Sequence, residues 1–276
     1  MKKFLLHSII FLGILAVLLH IRPLYLLYGD KYKQTVAGSD IYYSIFKSKQ
    51  KKKTKKILLG DSVAQQLFPN KTNNDTISSM ACNQSIAMVG HFILLNNYMN
   101  AGNEVDTVYM LFSPFSFQNN LNQVYTYHYF LKPFYIAEYK PLFTETVNKQ
   151  LEKVPYSRFC RTPYILTSDW APDFISKDVT DYTFLSPISI EYLHKIKELS
   201  IQHHFKVIIL PTPASKRKKP VIEKMDQNEV AKNNLTDLFE NYFKNIIYFD
   251  DSNFFDGTHI RNPQDFISRY KNDLIK

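Results

Sequence analysis

Lys56-Ile-Leu-Leu-Gly-Asp-Ser62, KILLGDS, is the stretch on which the fold turns. A short apolar run that stops at a glycine predicts a buried strand ending in a tight turn. The segments after it alternate in type. TISSMACNQ (76–84) is a weaker strand candidate. VGHFILLNNYMNAG (89–102) carries a broad apolar helical face, and DTVYMLFSPF (106–115) is a strand stopped by Pro114. ISIEYLHKIKELSIQHH (188–204) places Ile188, Tyr192, Ile196 and Leu199 on one helical stripe. FKVIILPTP (205–213) is the clearest buried strand. VAKNNLTDLFENYF (230–243) repeats the stripe through Ala231, Leu235, Leu238 and Tyr242, and NIIYFDD (245–251) is a further strand. NPQDFISRYKNDLI (262–275) closes the chain as a helix capped by Asn262, with Pro263 in its first turn.

Strands alternating with helices predict an α/β fold with a parallel sheet covered on both faces. In such sheets, functional groups gather beyond the carboxyl ends of the strands. That directs attention to Gly60–Ser62, Asn83–Met88, Ser113–Phe117, Pro211–Ser215 and Asp251–His259. Residues 116–186 interrupt the alternation. They are rich in Tyr and Phe (VYTYHYFLKPFYIAEYKPLF, 124–143) and read as an inserted aromatic cap. Its rings either line a cleft or pack on the sheet.

Composition narrows the function. The 276 residues are 45% hydrophobic, enough for a real core, and carry a formal charge of +9. The charge is unevenly placed. Residues 1–56 hold 12 basic and 2 acidic residues, whereas the rest hold 22 basic and 23 acidic. The body is therefore neutral, which argues against a nucleic-acid-binding domain. The leader begins MKKFLLHSIIFLGILAVLLHI, and its 18 residues from Phe4 would span ~27 Å as a helix. Residues 1–28 are expected to be an uncleaved membrane anchor and 29–55 a Lys-rich linker, with the domain at 56–276. Lys2 and Lys3 favour an extracytoplasmic body; the Lys47–Lys56 run weighs against that orientation without reversing it. Two cysteines, Cys82 and Cys160, exclude a disulfide scaffold and a cysteine-built zinc site. His91 and His128 have no partner at metal-ligand spacing. His203 and His204 read as helix-end residues.

The chemistry concentrates at two places. Ser62 follows a buried strand, where a turn can present its hydroxyl at the sheet edge. A serine hydroxyl needs a base to become a nucleophile. Asp256-Gly-Thr-His259 supplies a carboxylate three residues before a histidine. The carboxylate can bond ring Nδ1 across one turn and leave Nε2 facing outward as the base.

These residues resemble those of the GDSL or SGNH hydrolase family, over about residues 56–276 less the insertion. ILLGDS matches the block that carries the nucleophile, Ser62, and Asp256 and His259 match the closing Asp-x-x-His. CNQSIAMVG (82–90) is similar to the second block, an Asn-containing loop whose backbone helps bind the oxyanion. The usual glycine there falls near Ala87 or Met88, and Asn83 is a substrate-binding candidate. The third block, ordinarily Gly-x-Asn-Asp, is LFSPFSFQNN (111–120) here. Ser113 stands where the oxyanion-binding Asn is expected, with Asn119 or Asn120 as substitutes.

The resemblance implies a flavodoxin-like three-layer α/β/α sandwich and a serine acyl esterase or O-acyltransferase with no cofactor and no metal. The anchor and the altered third block look like divergent members that act in alginate O-acetylation and teichoic acid D-alanylation. These imply an acylated envelope glycan as substrate and a multispanning acyl-donor protein as partner. The alternative is a catalytically inactive glycan-binding or assembly protein with the same fold. Ser62, Ala87, Met88 and Ser113 are the oxyanion candidates. Lys216 and Arg217, in a basic run at the expected cleft edge, read either as a solvated loop or as a clamp for an anionic chain.

Overall fold

The computed structural model describes residues 2–20, 39–72, 76–123, 126–154 and 183–268. In chain order the main elements are α1 (Lys2–His20), α2 (Ser39–Ser48), β1 (Lys56–Gly60), α3 (Ser62–Leu67), β2 (Ser78–Ser79) and α4 (Ala87–Asn100). They continue with β3 (Thr107–Phe112), α5 (Pro187–His203), β4 (Lys206–Pro211), β5 (Ala214–Ser215), α6 (Asn228–Lys232), α7 (Thr236–Phe239) and β6 (Tyr248–Phe249).

Four strands form a parallel sheet in the order β2-β1-β3-β4, and β5 pairs in parallel with β6. β1 runs beside β3 from Lys56 opposite Thr107 to Gly60 opposite Leu111. Successive strand side chains point to opposite faces. Ile57, Leu59, Val108, Met110 and Phe112 accordingly enter one core, shared with α4 and α5. Leu58, Tyr109 and Leu111 enter another, shared with α3, Phe254, Ile260 and Phe266. Complete burial of such aliphatic side chains contributes roughly 1.5–3 kcal/mol each. Both faces of the sheet are therefore covered. The strand order reverses between β1 and β3, and in open parallel sheets ligands bind beyond the carboxyl ends at such a point.

Gly60 is required at the end of β1. A Cβ there would lie 2.4 Å from the Ala64 Cβ and 2.7 Å from the Leu111 carbonyl oxygen. Only the missing side chain lets α3 turn back so tightly on the strand.

Several expectations need correction. Part of the expected linker is folded: α2 buries Ile41 completely, and the Lys47 ammonium donates to the carbonyls of Asn70 and Thr72. The strand expected over 76–84 is only two residues long, since 83–86 turn into the head of α4. β4 is exposed at Lys206 and half-exposed at Ile208, because it ends the four-stranded sheet rather than occupying its centre. The helix expected over 230–243 breaks at Asn234, which takes a left-handed φ of 54°. The strand expected over 245–251 is reduced to β6. A closing helix does start after Pro263, with the Phe266 and Ile267 N–H groups donating to its carbonyl. Residues beyond 268 lie outside the described ones.

The cap's aromatic run also differs from a cleft lining. Tyr127, Phe130, Phe134 and Tyr139 are buried in the same core as the sheet. Residues 155–182 of the expected cap, with Cys160, lie outside the described residues. Cys82 is a buried free thiol, and burial pushes it well above the ordinary thiol range. Phe4 to Leu18 of α1 present their apolar side chains outward. Among the described residues no helix is long and apolar enough to cross a membrane. Residues 21–28 of the expected anchor are not among them.

Candidate active site

Ser62 begins α3 at the carboxyl end of β1, and Asp61 caps that helix. Asp61 Oδ1 accepts from the N–H groups of Val63 (3.0 Å) and Ala64 (3.1 Å). Its Oδ2 accepts from the Ser113 N–H (2.6 Å) and the Ser116 hydroxyl (2.7 Å). Burial pushes this carboxyl up, against the pull of its four donors. Asp61 thus joins the turn after β1 to the turn after β3, and it fixes the direction in which Ser62 leaves the sheet.

The Asp-x-x-His segment returns to that point. Asn253–Phe255 and His259–Arg261 form a short antiparallel ribbon, with Phe254 bridged to Ile260 and the Phe255 N–H donating to the His259 carbonyl. Gly257, at φ +78°, makes the turn between them. His259 Nδ1 lies 2.7 Å from Asp256 Oδ2, and His259 Nε2 lies 2.9 Å from Ser62 Oγ. Ser62, His259 and Asp256 are therefore hydrogen-bonded in series, although 197 residues separate the first two. Asp256 Oδ1 also accepts from the Thr258 and His259 N–H groups, at 2.9 and 2.8 Å. Partial burial would raise the Asp256 carboxyl. Those N–H groups and the imidazole outweigh it and hold the carboxyl well below the ordinary range. It stays ionised, so Nδ1 keeps its proton and Nε2 can accept one.

Gln66 is a site residue that the sequence reading missed. Its Nε2 donates to the Ile260 carbonyl (3.1 Å), and its Oε1 accepts from the Ile260 N–H (2.9 Å). Its signal is a polar residue one helical turn after Ser62, on the same face of α3.

The oxyanion candidates divide. The Ser62 N–H has no acceptor among the described residues. Met88 sits in the first turn of α4, where N–H groups lack intrahelical acceptors. The Ala87 N–H is engaged by the Gln84 carbonyl and the Ser113 N–H by Asp61, so neither is free to hold an oxyanion. Asn119 does not substitute: its amide nitrogen donates to the Gln84 carbonyl (2.6 Å) and its oxygen accepts from the Leu121 N–H (2.9 Å). The Asn120 oxygen faces the Ile188 N–H at 3.4 Å. Ala87 itself has φ 50° and ψ −178°, close to a region that glycine alone normally occupies. The expected glycine position is thus marked in the backbone without the residue.

Asn83 holds the second loop, its side-chain oxygen accepting from the Ser85 N–H (2.9 Å) and its own N–H donating to Asp40 Oδ2 (3.3 Å). Lys216 pairs with Asp250 at 2.7 Å. The Arg217 guanidinium donates to the Asp256 carbonyl (3.1 Å), and its N–H donates to Asp251 Oδ1 (3.1 Å). Both cations are engaged within the chain, and Arg217 supports the turn that carries the acid. No cluster of three metal-ligating side chains exists among the described residues.

Fold and site together define a parallel α/β domain with a serine–histidine–aspartate relay at the carboxyl edge of its sheet. No family model matches the chain, and no curated protein matches it. A solved structure from Streptococcus pneumonia, provisionally designated a platelet activating factor, is similar over 95% of this chain and 99% of its own, at 13% identity and a TM-score of 0.37. A likeness that remote carries no argument about this chain.

Proposed function

We propose that this chain is a serine acyl esterase or O-acyltransferase of the SGNH type, built on a flavodoxin-like three-layer sandwich and acting on an acylated cell-envelope glycan. The observation that carries the reading is the relay itself, with 2.9 Å from Ser62 Oγ to His259 Nε2 and 2.7 Å from Nδ1 to Asp256. Ser62 Oγ attacks the acyl carbonyl carbon while its proton passes to Nε2. Collapse of the tetrahedral intermediate returns that proton to the leaving alkoxide, and the acyl group remains on Ser62. Water or a sugar hydroxyl then attacks the acyl-serine and gives its proton to Nε2, and Ser62 Oγ is reprotonated as it leaves. The N–H groups of Ser62 and Met88 are the donors assigned to the oxyanion.

The same proposal places the domain outside the cytoplasm at a membrane. The outward apolar side chains of α1, from Phe4 to Leu18, support attachment there, together with the apolar residues 23–28 that follow. A multispanning acyl-donor protein is the partner a transferase of this kind would need.

One observation favours a binding-only protein. The Ser113 N–H and the Asn119 amide, the third-loop groups nearest the expected donor in sequence, are both engaged internally. Trapping with a labelled activated acetyl ester separates the readings. A catalytic protein forms a labelled acyl-enzyme that vanishes in Ser62→Ala. Unchanged labelling in that variant removes Ser62 from the chemistry, and absence of turnover in the wild type favours binding alone.

A further inference from the structure

The ribbon that carries His259 sorts its side chains by face. Phe254 and Ile260 form its bridge and are 2% and 0% exposed, directed into the core beneath the sheet. Alternation then sends Phe255 and His259 to the other face. They are directly opposed across the ribbon, the Phe255 N–H donating to the His259 carbonyl at 2.8 Å. Opposed residues of an antiparallel pair stand on the same face with Cβ atoms about 4.5–5.5 Å apart. Phe255 is 63% exposed. A lone exposed phenylalanine elsewhere would need no explanation. This one stands beside the base of the relay.

Arg261 completes the group. Its N–H donates to the Asn253 carbonyl and its Nε to the Phe254 carbonyl, both at 2.9 Å. Its guanidinium carbon lies 4.8 Å from the centre of the Phe255 ring. The guanidinium thus lies over one face of the ring, and the Phe255 backbone is tied into the ribbon.

We infer that Phe255 and Arg261 form a sugar-binding platform beside His259, which receives a pyranose ring of the substrate. The inference rests on the proposed action on a glycan and names the residues that would recognise it. A pyranose presents a flat face of polarised C–H groups that stacks on the negative face of an aromatic ring, and hydroxyls at its edge that accept from a guanidinium. A largely exposed ring with a guanidinium over one face fits such a ligand better than an acyl tail, which calls for an enclosed apolar channel.

The test uses the full chain and two esters: p-nitrophenyl acetate, which has no sugar, and an O-acetylated xylo-oligosaccharide. Phe255→Ala is expected to lower kcat/KM on the oligosaccharide about 10–100-fold through KM and to change it less than about threefold on p-nitrophenyl acetate. Phe255→Trp is expected to retain the oligosaccharide activity. Equal losses on both esters would show that Phe255 only positions His259 and would overturn the platform, as would no loss on either. Calorimetric titration of unacetylated xylohexaose into Ser62→Ala, with and without Phe255→Ala, reads the platform without turnover. At least tenfold weaker binding in the double variant supports it even if the wild type cleaves neither ester, an outcome that would sink only the enzymatic reading. Binding unchanged by Phe255→Ala overturns the inference.

Discussion

The side-chain amide of Gln66 holds the backbone of Ile260 by both of its ends, at 3.1 and 2.9 Å, across 194 residues of sequence. It does for the ribbon what a neighbouring strand would do, satisfying one carbonyl and one N–H at once. Gln66 lies on the helix that Ser62 opens, and Ile260 adjoins His259. The contact therefore ties the helix of Ser62 to the residue next to His259, the pair proposed as nucleophile and base.

Gln66→Ala removes both bonds. Each is worth about 1 kcal/mol net, so a loss of about 1–3 kcal/mol in unfolding free energy is expected. The larger effect is on geometry, since a displacement of ~1 Å at a reacting pair can cost ~10² in rate. Urea unfolding and kcat/KM on an acetyl ester read the two separately. Full activity in this variant would refute the positioning role.

Ala87 predicts the opposite sign. Its φ of 50° with ψ near 180° is tolerated by glycine and costs another residue about 1–3 kcal/mol. Glycine adds flexibility to the unfolded chain worth about 0.5–1 kcal/mol. Ala87→Gly is therefore expected to stabilise the protein by up to about 2 kcal/mol in chemical denaturation, and Ala87→Val to destabilise it.

How far the sequence could be read depended on distance along the chain. Gly60 and Ser62 mark a turn directly after a strand, and Asp256 reaches His259 across one turn, so these patterns are visible locally, whereas the bonds from Asp61 to Ser113 and Ser116 span more than 50 residues and are not. Gln66 was not, because its partner is remote in sequence. The Lys47–Lys56 run belongs by composition to a Lys-rich linker; Lys47 instead buries its ammonium against two carbonyls, and burial lowers it to about 8. The stripe over 230–243 has helical periodicity throughout. However, the Leu235 N–H closes back on the Val230 carbonyl, an ending that periodicity does not encode. The aromatic run at 124–143 gave its composition but not the face its rings would take.

His91 makes stability acid-sensitive. The ring is buried edge-on to Phe112, neither nitrogen has a hydrogen-bond partner among the described residues, and burial lowers it to about 3. An unfolded histidine titrates near 6.5. Between those values the unfolded chain binds one more proton, so this group's contribution is complete above pH ~6.5 and is lost as pH falls towards 3. The slope is up to about 1.4 kcal/mol per pH unit. His91→Phe is expected to flatten that part of the profile without loss at pH 7. An unchanged profile would rule out His91 as the sensor.

Removing residues 2–20 tests the proposed attachment. The exposed apolar side chains of α1 leave with it, while the cores around β1 and β3 lose nothing. The truncated chain is expected to move from the membrane pellet to the supernatant on ultracentrifugation and to keep its activity on a soluble acetyl ester. A full-length chain already in the supernatant would remove the membrane from the proposal.

Gly257 couples the turn to Arg217. A Cβ at this position would lie 2.1 Å from Arg217 Nη2, and φ is +78°. Gly257→Ala thus incurs left-handed backbone strain of about 1–2 kcal/mol and expels the guanidinium that donates to the Asp256 carbonyl. The acid of the relay then loses its support from behind, and kcat/KM is expected to fall about 100-fold, with a smaller loss in Arg217→Ala. If the glycine acts through Arg217, the double variant is no worse than Gly257→Ala alone, because the contact is already broken. Fully additive losses would mean that the glycine serves only the turn and that Arg217 acts elsewhere.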